Sequence, residues 1–295
     1  MPFRSGFACF VGRPNAGKST LTNALVGSKI VITSAKPQTT RHAVRGILTR
    51  EDAQLILVDT PGLHKPRTLL GQRLNDVVRA SLAEVDVIGF CVPADEKVGP
   101  GDRFIATELA ELNAPVIAII TKTDTASRQQ ITEQLLAVSQ LGEFVDVIPV
   151  SAVAGEQVEL LADLLVARLP DGPQLYPSDV ESDESQESRI AELIREAALA
   201  DVRDELPHSI AVTVQEMHPR PDNTEITEVF ATIHLERSSQ KGIIIGHKGS
   251  RLKAIGTTAR AGIAELLGAR VHLDLHVAVE SDWQRDPKKL DRLGF

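Results

Sequence analysis

Aromatic residues make up only 3% of this 295-residue sequence, with one Trp, one Tyr and eight Phe, which excludes an extended aromatic stacking platform as its binding mode. Cysteine is as scarce. Cys9 and Cys91 are the two present, each inside an apolar run, so the pattern predicts reduced core thiols in an intracellular compartment instead of a disulfide framework or a cysteine metal site. No run of about 18 consecutive apolar residues exists to span a membrane, and the opening MPFRSGFACFVGR enters a glycine motif too early for a signal peptide. The expectation is a soluble, cytoplasmic protein, with peripheral membrane contact left open. Positive charge is also in deficit: 32 Lys and Arg stand against 40 Asp and Glu, a net charge of -8, which excludes a uniformly basic coat.

That total hides a gradient. Residues 189–240 carry five basic and ten acidic side chains, whereas 241–295 carry ten basic and six acidic, and in 241–260 all five charges (Lys241, Lys248, Arg251, Lys253, Arg260) are positive. A local polyanion site can therefore sit on an acidic protein.

The length suits two domains. Short apolar runs at 7–11, 54–58, 85–92, 116–120 and 145–149 alternate with helical patterns at 69–82, 103–112, 131–141 and 158–169, with an antiparallel edge strand expected at 43–49. Alternation of this kind predicts an α/β domain on a mostly parallel sheet over residues 1–170. The proline-, serine- and acid-rich PDGPQLYPSDVESDESQES reads as a linker, 171–188. Beyond it, a helix (about 189–202), strands (209–217 and 224–235), a helix–glycine turn–helix and a strand (270–279) predict a small α+β domain over 189–285. A short closing helix or tail is expected over 286–295.

The strongest local signal is a phosphate loop. Gly12, Arg13, Pro14, Asn15, Ala16, Gly17, Lys18 and Ser19 form an unbroken GxxxxGK[ST], followed by Thr20, between a strand and a helix. The glycines allow successive amides to face phosphate oxygens, and the helix adds its positive end. Lys18 can bridge β and γ phosphates and Ser19 can ligate Mg²⁺. Asp59, Thr60, Pro61 and Gly62 follow the apolar LILV, placing a carboxylate within reach of the Mg²⁺ shell and the Gly62 amide near the γ phosphate, with Leu63 next. Within Lys36-Pro37-Gln38-Thr39-Thr40-Arg41 one threonine can complete that shell, and Thr40 is favoured over Thr39. Lys18, Thr40 and Gly62 are the expected catalytic groups; Ser19, Thr40 and Asp59 are the expected metal ligands.

Base choice is assigned to Thr121, Lys122, Thr123 and Asp124 after the strand VIAII. The Asp124 carboxylate can accept from guanine N1 and N2, which adenine cannot reproduce, while Lys122 packs along the purine and the Ser151-Ala152 turn brings an amide to O6.

In the second domain Gly246-His247-Lys248-Gly249 is a GxxG turn preceded by Ile243, Ile244 and Ile245. A nucleic-acid backbone can approach such a turn without Cβ obstruction, with Lys241, Lys248, Arg251 and Lys253 to meet phosphates and the isoleucines as an apolar platform. His234, His247, His272 and His276 lack zinc spacing. His272, Asp274 and His276 are expected on one polar sheet face.

Together these motifs resemble translation-factor-like small GTPases, and the whole chain resembles the Era family of bacterial ribosome-assembly GTPases. The resemblance implies a P-loop GTPase domain (phosphate loop GRPNAGKS, first switch PQTTR, second switch opened by DTPG, base loop TKTD, support SA) followed by a type II KH domain. GTP/GDP and Mg²⁺ are the implied cofactors. The 3′ end of 16S rRNA, within the 30S subunit or its precursor, is the implied partner, and the implied role is in small-subunit maturation. Two positions depart from wider GTPase patterns. Thr121 stands where NKxD has asparagine: it can still offer a hydroxyl but loses the amide that tethers this loop to the phosphate loop and reads the base, so guanine choice rests on Asp124 and the change bears on affinity. Leu63 stands where many small GTPases carry a water-orienting glutamine, so intrinsic turnover is expected to be slow; the Era-like class usually has a hydrophobic residue here. A monomer is expected. The competing class of function is a nucleotide-regulated membrane or protein-interaction module.

Overall fold

The computed structural model describes residues 2–34, 39–63, 66, 68–200 and 209–295. Two compact units divide the chain: the first holds the described residues up to Asp183 apart from short pieces within 34–39 and 67–70, and the second includes 184–295.

The first unit is built on a sheet of order β2-β3-β1-β4-β5-β6. Its strands are β1 (Arg4–Gly12), β2 (Val44–Thr49), β3 (Ala53–Asp59), β4 (Val87–Pro93), β5 (Val116–Thr121) and β6 (Asp146–Pro149). Only β2 runs antiparallel, pairing Val44 with Asp59 through Thr49 with Gln54; β1 pairs in parallel with both β3 and β4. Every residue of β3, β4 and β5 is buried, which is why these strands read as continuous apolar runs. One face packs α1 (Lys18–Val26) and α5 (Val158–Val166) around Phe10, Leu57 and Ile119. The opposite face packs α2 (Leu69–Ala83), α3 (Pro100–Ala110) and α4 (Arg128–Ser139) around Val11, Phe90 and Ile120. Cys9 and Cys91 are both buried and free, and burial pushes each thiol up to about 12, so these are inert core residues.

Helix boundaries follow local chemistry. Ser127 caps α4, its hydroxyl accepting from the Gln130 amide, and α1 ends at Gly27 with φ 86°. The stretch after α5 is laid along the sheet margin: the Ser5 amide donates to Pro170 O (3.2 Å), the Gly172 amide to Phe3 O (3.0 Å) and the Ile47 amide to Glu181 O (2.9 Å). Gln54, fully buried, accepts from the Leu175 and Tyr176 amides (both 2.8 Å) and donates to Tyr176 O (2.9 Å). Residues 170–183 are thus a hydrogen-bonded strap on the first unit.

The second unit runs α6 (Gln186–Leu199), β7 (Ala211–Arg220), β8 (Asn223–Leu235), α7 (Ser238–Ile245), α8 (Ser250–Leu267) and β9 (Arg270–Val279). Helix α6 starts earlier than its apolar pattern suggested because Ser185 provides the cap; the expected extension to Val202 falls partly outside the described residues. In the sheet β7-β8-β9, β8 is antiparallel to β7 and parallel to β9. Val229, Ala231, Ile233 and Val277 meet Ile194, Ile244, Ile255 and Ile263 in one core. His272, Asp274 and His276 are exposed on the opposite face, as expected. The closing helix α9 (Pro287–Arg292) follows Trp283, which is buried, donates to Ser209 O (3.3 Å) and stacks on Phe295.

Candidate functional site

The nucleotide-facing residues lie where parallel strands end, at the edge where strand connections diverge from β1. A Cβ on Gly12 would sit 2.5 Å from Cys91 O, and Gly17 has φ 86°, so neither position accepts a larger residue without strain. Asn15 at φ 63° takes the left-handed conformation that asparagine tolerates. The turn delivers Lys18 to the start of α1, where its Nζ donates to Gly12 O (3.2 Å) and Arg13 O (3.1 Å). Burial depresses the Lys18 pKa, with the nearby Asp59 charge opposing that effect.

Three oxygens meet beside it. Ser19 Oγ lies 2.8 Å from Asp59 Oδ2 and 2.9 Å from Thr40 Oγ1, and Thr40 Oγ1 lies 3.1 Å from Asp59 Oδ2. The structure brings Thr40 into this group as the sequence favoured; 36–38 lie outside the described residues. Asp59 is fully buried, and burial raises its pKa against the pull of Lys18 and its hydroxyl partners. A buried carboxylate facing two hydroxyls is an all-oxygen donor set suited to a hard divalent cation, so Mg²⁺ fits these residues. No cluster of three or more His, Cys, Asp or Glu able to hold a metal occurs among the described residues. Thr22, which the sequence reading missed, adds a hydroxyl 3.4 Å from Asp59 Oδ1 and 3.2 Å from Lys18 O; its one-turn spacing from Lys18 on α1 was the available signal.

After Asp59, Thr60 donates to Phe10 O (3.0 Å), fixing the turn against β1. A Cβ on Gly62 would sit 2.8 Å from the Pro14 nitrogen, so the two phosphate-side loops touch backbone to backbone. Leu63 was expected among the nucleotide residues, but its side chain is buried in the core cluster with Val58 and Phe90; apolar burial leaves it only backbone to offer. Arg13 is held in part: Asp102 (2.7 Å) and Glu96 (3.0 Å) take its Nε and Nη1, while its Nη2 is buried without a hydrogen-bond partner among the described residues.

At the base end, Thr121 Oγ1 donates to Ala16 O over 2.6 Å. The hydroxyl that threonine still offers in place of the asparagine amide is thus close enough, at the end of β5, to join base loop and phosphate loop. Lys122 adopts φ 57° and its Nζ lies 3.4 Å from Asp95. Asp124 accepts from Ser151 Oγ at 2.6 Å. The Ser151 amide is already committed to Glu156 O (3.1 Å), so within this turn the Ser151 side chain orients the aspartate. The structure thus brings the two ends of the site together through Ala16 and Thr121.

In the second unit, Gly246, Lys248 and Gly249 all have positive φ (72°, 50° and 78°), and a Cβ on Gly246 would meet Arg251 Cβ at 2.7 Å. Lys248 and His247 are exposed at the tip and Lys253 on α8, while Lys241 is half-buried. Ile243 is 50% exposed, but Ile244 is fully buried in the core. Ile244 was expected to face RNA; alternation around α7 turns it inward, and it supports the turn from below. Ile245 is partly buried. Arg251 donates to Ala200 O (2.8 Å) and so is partly committed to the end of α6.

A glycine loop with lysine, hydroxyl and carboxylate at the ends of a parallel sheet, an aspartate held by Ser151 on the next loop, and a separate KH fold define a P-loop GTPase with a KH domain. Family models agree: one described as 50S ribosome-binding GTPase matches residues 7–122, and one described as KH domain matches 205–284. The chain is 64% identical to GTPase Era of Streptomyces coelicolor, covering 99% of this chain and 95% of that protein. It is 63% identical to GTPase Era of a Nocardioides species, covering 99% and 96%. It belongs to the GTPase Era family. Similar solved structures include Era in complex with MgGDPNP and nucleotides 1506–1542 of 16S ribosomal RNA (TM-score 0.96) and an Aquifex aeolicus Era variant bound to GDP·AlF4⁻ (TM-score 0.95). Each is 36% identical and covers 99% of both chains.

Proposed function

We propose that this chain is a GTP-hydrolysing switch that binds the single-stranded 3′ end of 16S rRNA and assists processing and assembly of the 30S subunit. The observation that carries this is the likeness, over 99% of both chains, to an Era structure holding MgGDPNP together with a 16S rRNA fragment. The family model that names the 50S particle spans only 7–122 and lies within the nucleotide unit, so it speaks less to the RNA partner. In this reading residues 1–170 carry the nucleotide, 171–188 connect, 189–285 carry RNA and 286–295 close the second unit.

The reaction is GTP + H₂O → GDP + phosphate. Loop amides from Asn15 to Thr20 cradle the phosphates, Lys18 offsets charge on the transferring group, and the Gly62 amide senses the γ phosphate. Ser19, Thr40 and Asp59 hold Mg²⁺, which neutralises charge developing between the β and γ oxygens. Asp124 selects guanine, with Thr121, Lys122, Thr123, Ser151 and Ala152 forming the rest of the base site. The Leu63 side chain presents no hydrogen-bonding group to the attacking water, so unassisted turnover is slow. RNA lies along Lys241, Ile243, Ile245 and the Gly246–Gly249 turn, with Lys253 on its flank. The protein works in the cytoplasm as a monomer, and any membrane contact is peripheral; no described helix is long and apolar enough to cross a membrane.

The test is binding of an oligonucleotide copying the 16S rRNA 3′ end, with GTP analogue or GDP bound, to wild type and to Gly246→Asp/Gly249→Asp. Selective binding weakened at least about tenfold in the variant is expected, since two carboxylates would face phosphates. Equal binding by both proteins, or by scrambled RNA, would overturn the RNA assignment and leave the second unit to a protein or membrane partner.

A further inference from the structure

Three acidic residues that belong to none of the nucleotide motifs hold the cations of two of them. They fall in the connection from β4 to α3, 94–99, and in the first turn of α3. Asp102 is completely buried; its Oδ1 receives Arg13 Nε at 2.7 Å, and its Oδ2 receives the Gly99 amide at 2.8 Å. Glu96 receives Arg13 Nη1 at 3.0 Å. The Arg13 stem lies on Gly101, where a Cβ would sit 2.8 Å from Arg13 Cδ. One residue before Glu96, Asp95 faces Lys122 Nζ at 3.4 Å.

The connection is itself fixed. Ala94 donates its amide to Thr121 O at 2.8 Å, and the buried Gln134 of α4 donates to Pro93 O and Glu96 O, both at 2.9 Å. It therefore presents its carboxylates from a rigid base. Burial pulls the Arg13 pKa down, yet the hydrogen bonds and charges of Asp102 and Glu96 outweigh burial and the net shift is upward, in keeping with carboxylates at its Nε and Nη1. Arg13 O and Gly12 O receive Lys18 Nζ, so the position of the Arg13 backbone bears directly on the phosphate-binding lysine.

We infer that Asp102 and Glu96, through Arg13, and Asp95, through Lys122, are positioning residues that align the phosphate end and the base end of the nucleotide site from one acidic connection. The inference rests on the assignment of the nucleotide site above. Arg13 then acts as an arm anchoring the loop through its Nε and Nη1. The two ends are separable because different carboxylates serve them.

The test uses the full-length protein with Mg²⁺ and measures dissociation constants for GDP and GMP, whose ratio reports what the phosphate loop gains from the β phosphate. Asp102→Asn is expected to weaken GDP about tenfold, the order of one hydrogen bond to a charged group, and to reduce the GDP-over-GMP preference. Its remaining carbonyl oxygen can still accept from the Gly99 amide. Glu96→Gln, at a half-exposed site that tolerates substitution, should shift the same ratio in the same direction by about threefold. Asp95→Asn should weaken GDP and GMP by equal factors and leave the ratio alone. In an Arg13→Met background Asp102→Asn should add little, because both changes remove the same contact; full additivity would mark Asp102 as a mere helix cap and overturn the inference. An unchanged ratio in both Asp102→Asn and Glu96→Gln overturns it too. Failure of wild type to bind GDP would strike the nucleotide site itself.

Discussion

Thr121 is bonded where the two halves of the nucleotide site meet. Its hydroxyl donates 2.6 Å to Ala16 O, and a Cβ on Gly17 would stand 3.5 Å from the same side chain, so base loop and phosphate loop are in contact through one small residue. Threonine suits that gap. Thr121→Val keeps the shape but leaves the buried Ala16 carbonyl without this donor, a cost of roughly 1–2 kcal/mol, and should speed GDP release about tenfold while Thr121→Ser stays near wild type. Release of a fluorescent GDP chased with excess GDP measures it; equal rates for valine and wild type would remove the tether from the account. This hydroxyl could not be placed from sequence, because the tetrapeptide TKTD shows residue types but no distance to Ala16. The same limit hid Ser151, whose hydroxyl turned out to orient Asp124, and the inward turn of Ile244.

Elements were far more legible than contacts. Strands β1, β3, β4 and β5 announced themselves as short apolar runs buried on both faces, and β9 as an alternating segment, because burial and side-chain period are written directly in residue order. The motif residues Lys18, Ser19 and Asp59 were legible for the same reason, each falling at the end of a recognisable element, whereas Thr40, in the connection between α1 and β2, was one of two threonines the sequence offered. What composition obscured was 170–183, whose Pro, Ser and acidic residues suggest a free linker although its backbone groups find partners on the sheet margin. Gln54 is the fastener, satisfying three backbone groups of Leu175 and Tyr176. Gln54→Leu fills similar volume but leaves the Leu175 and Tyr176 amides without this acceptor, at about 1–3 kcal/mol for each that water cannot reach, while Tyr176 O keeps Gln174 Nε2 at 2.6 Å. Faster proteolysis within 171–183 and a lower melting temperature for the first unit are expected; cleavage at the wild-type rate would mean the strap is held elsewhere.

At the scale of the whole molecule, an overall charge of -8 repels a polyanion, and RNA binding must come from a local field strong enough to overcome it. The candidates are few. Lys248 and Lys253 are exposed and Lys241 is half-buried, whereas Arg251 already serves Ala200 O. If about three cations neutralise phosphates of a single strand, the logarithm of the binding constant should fall against the logarithm of salt concentration with a slope of about -2, since each contributes about -0.7. Removing one lysine, as in Lys248→Ala, should flatten the slope by about 0.7, and Arg251→Ala should flatten it less because that guanidinium is partly committed to Ala200 O. The slope separates this local arrangement from a diffuse electrostatic attraction, which the acidic remainder of the surface opposes. Titrations of the 3′-end oligonucleotide at several salt concentrations decide the matter: a slope near zero would mean that apolar and backbone contacts at Ile243 and the glycine turn hold the RNA, and that the lysines serve another partner.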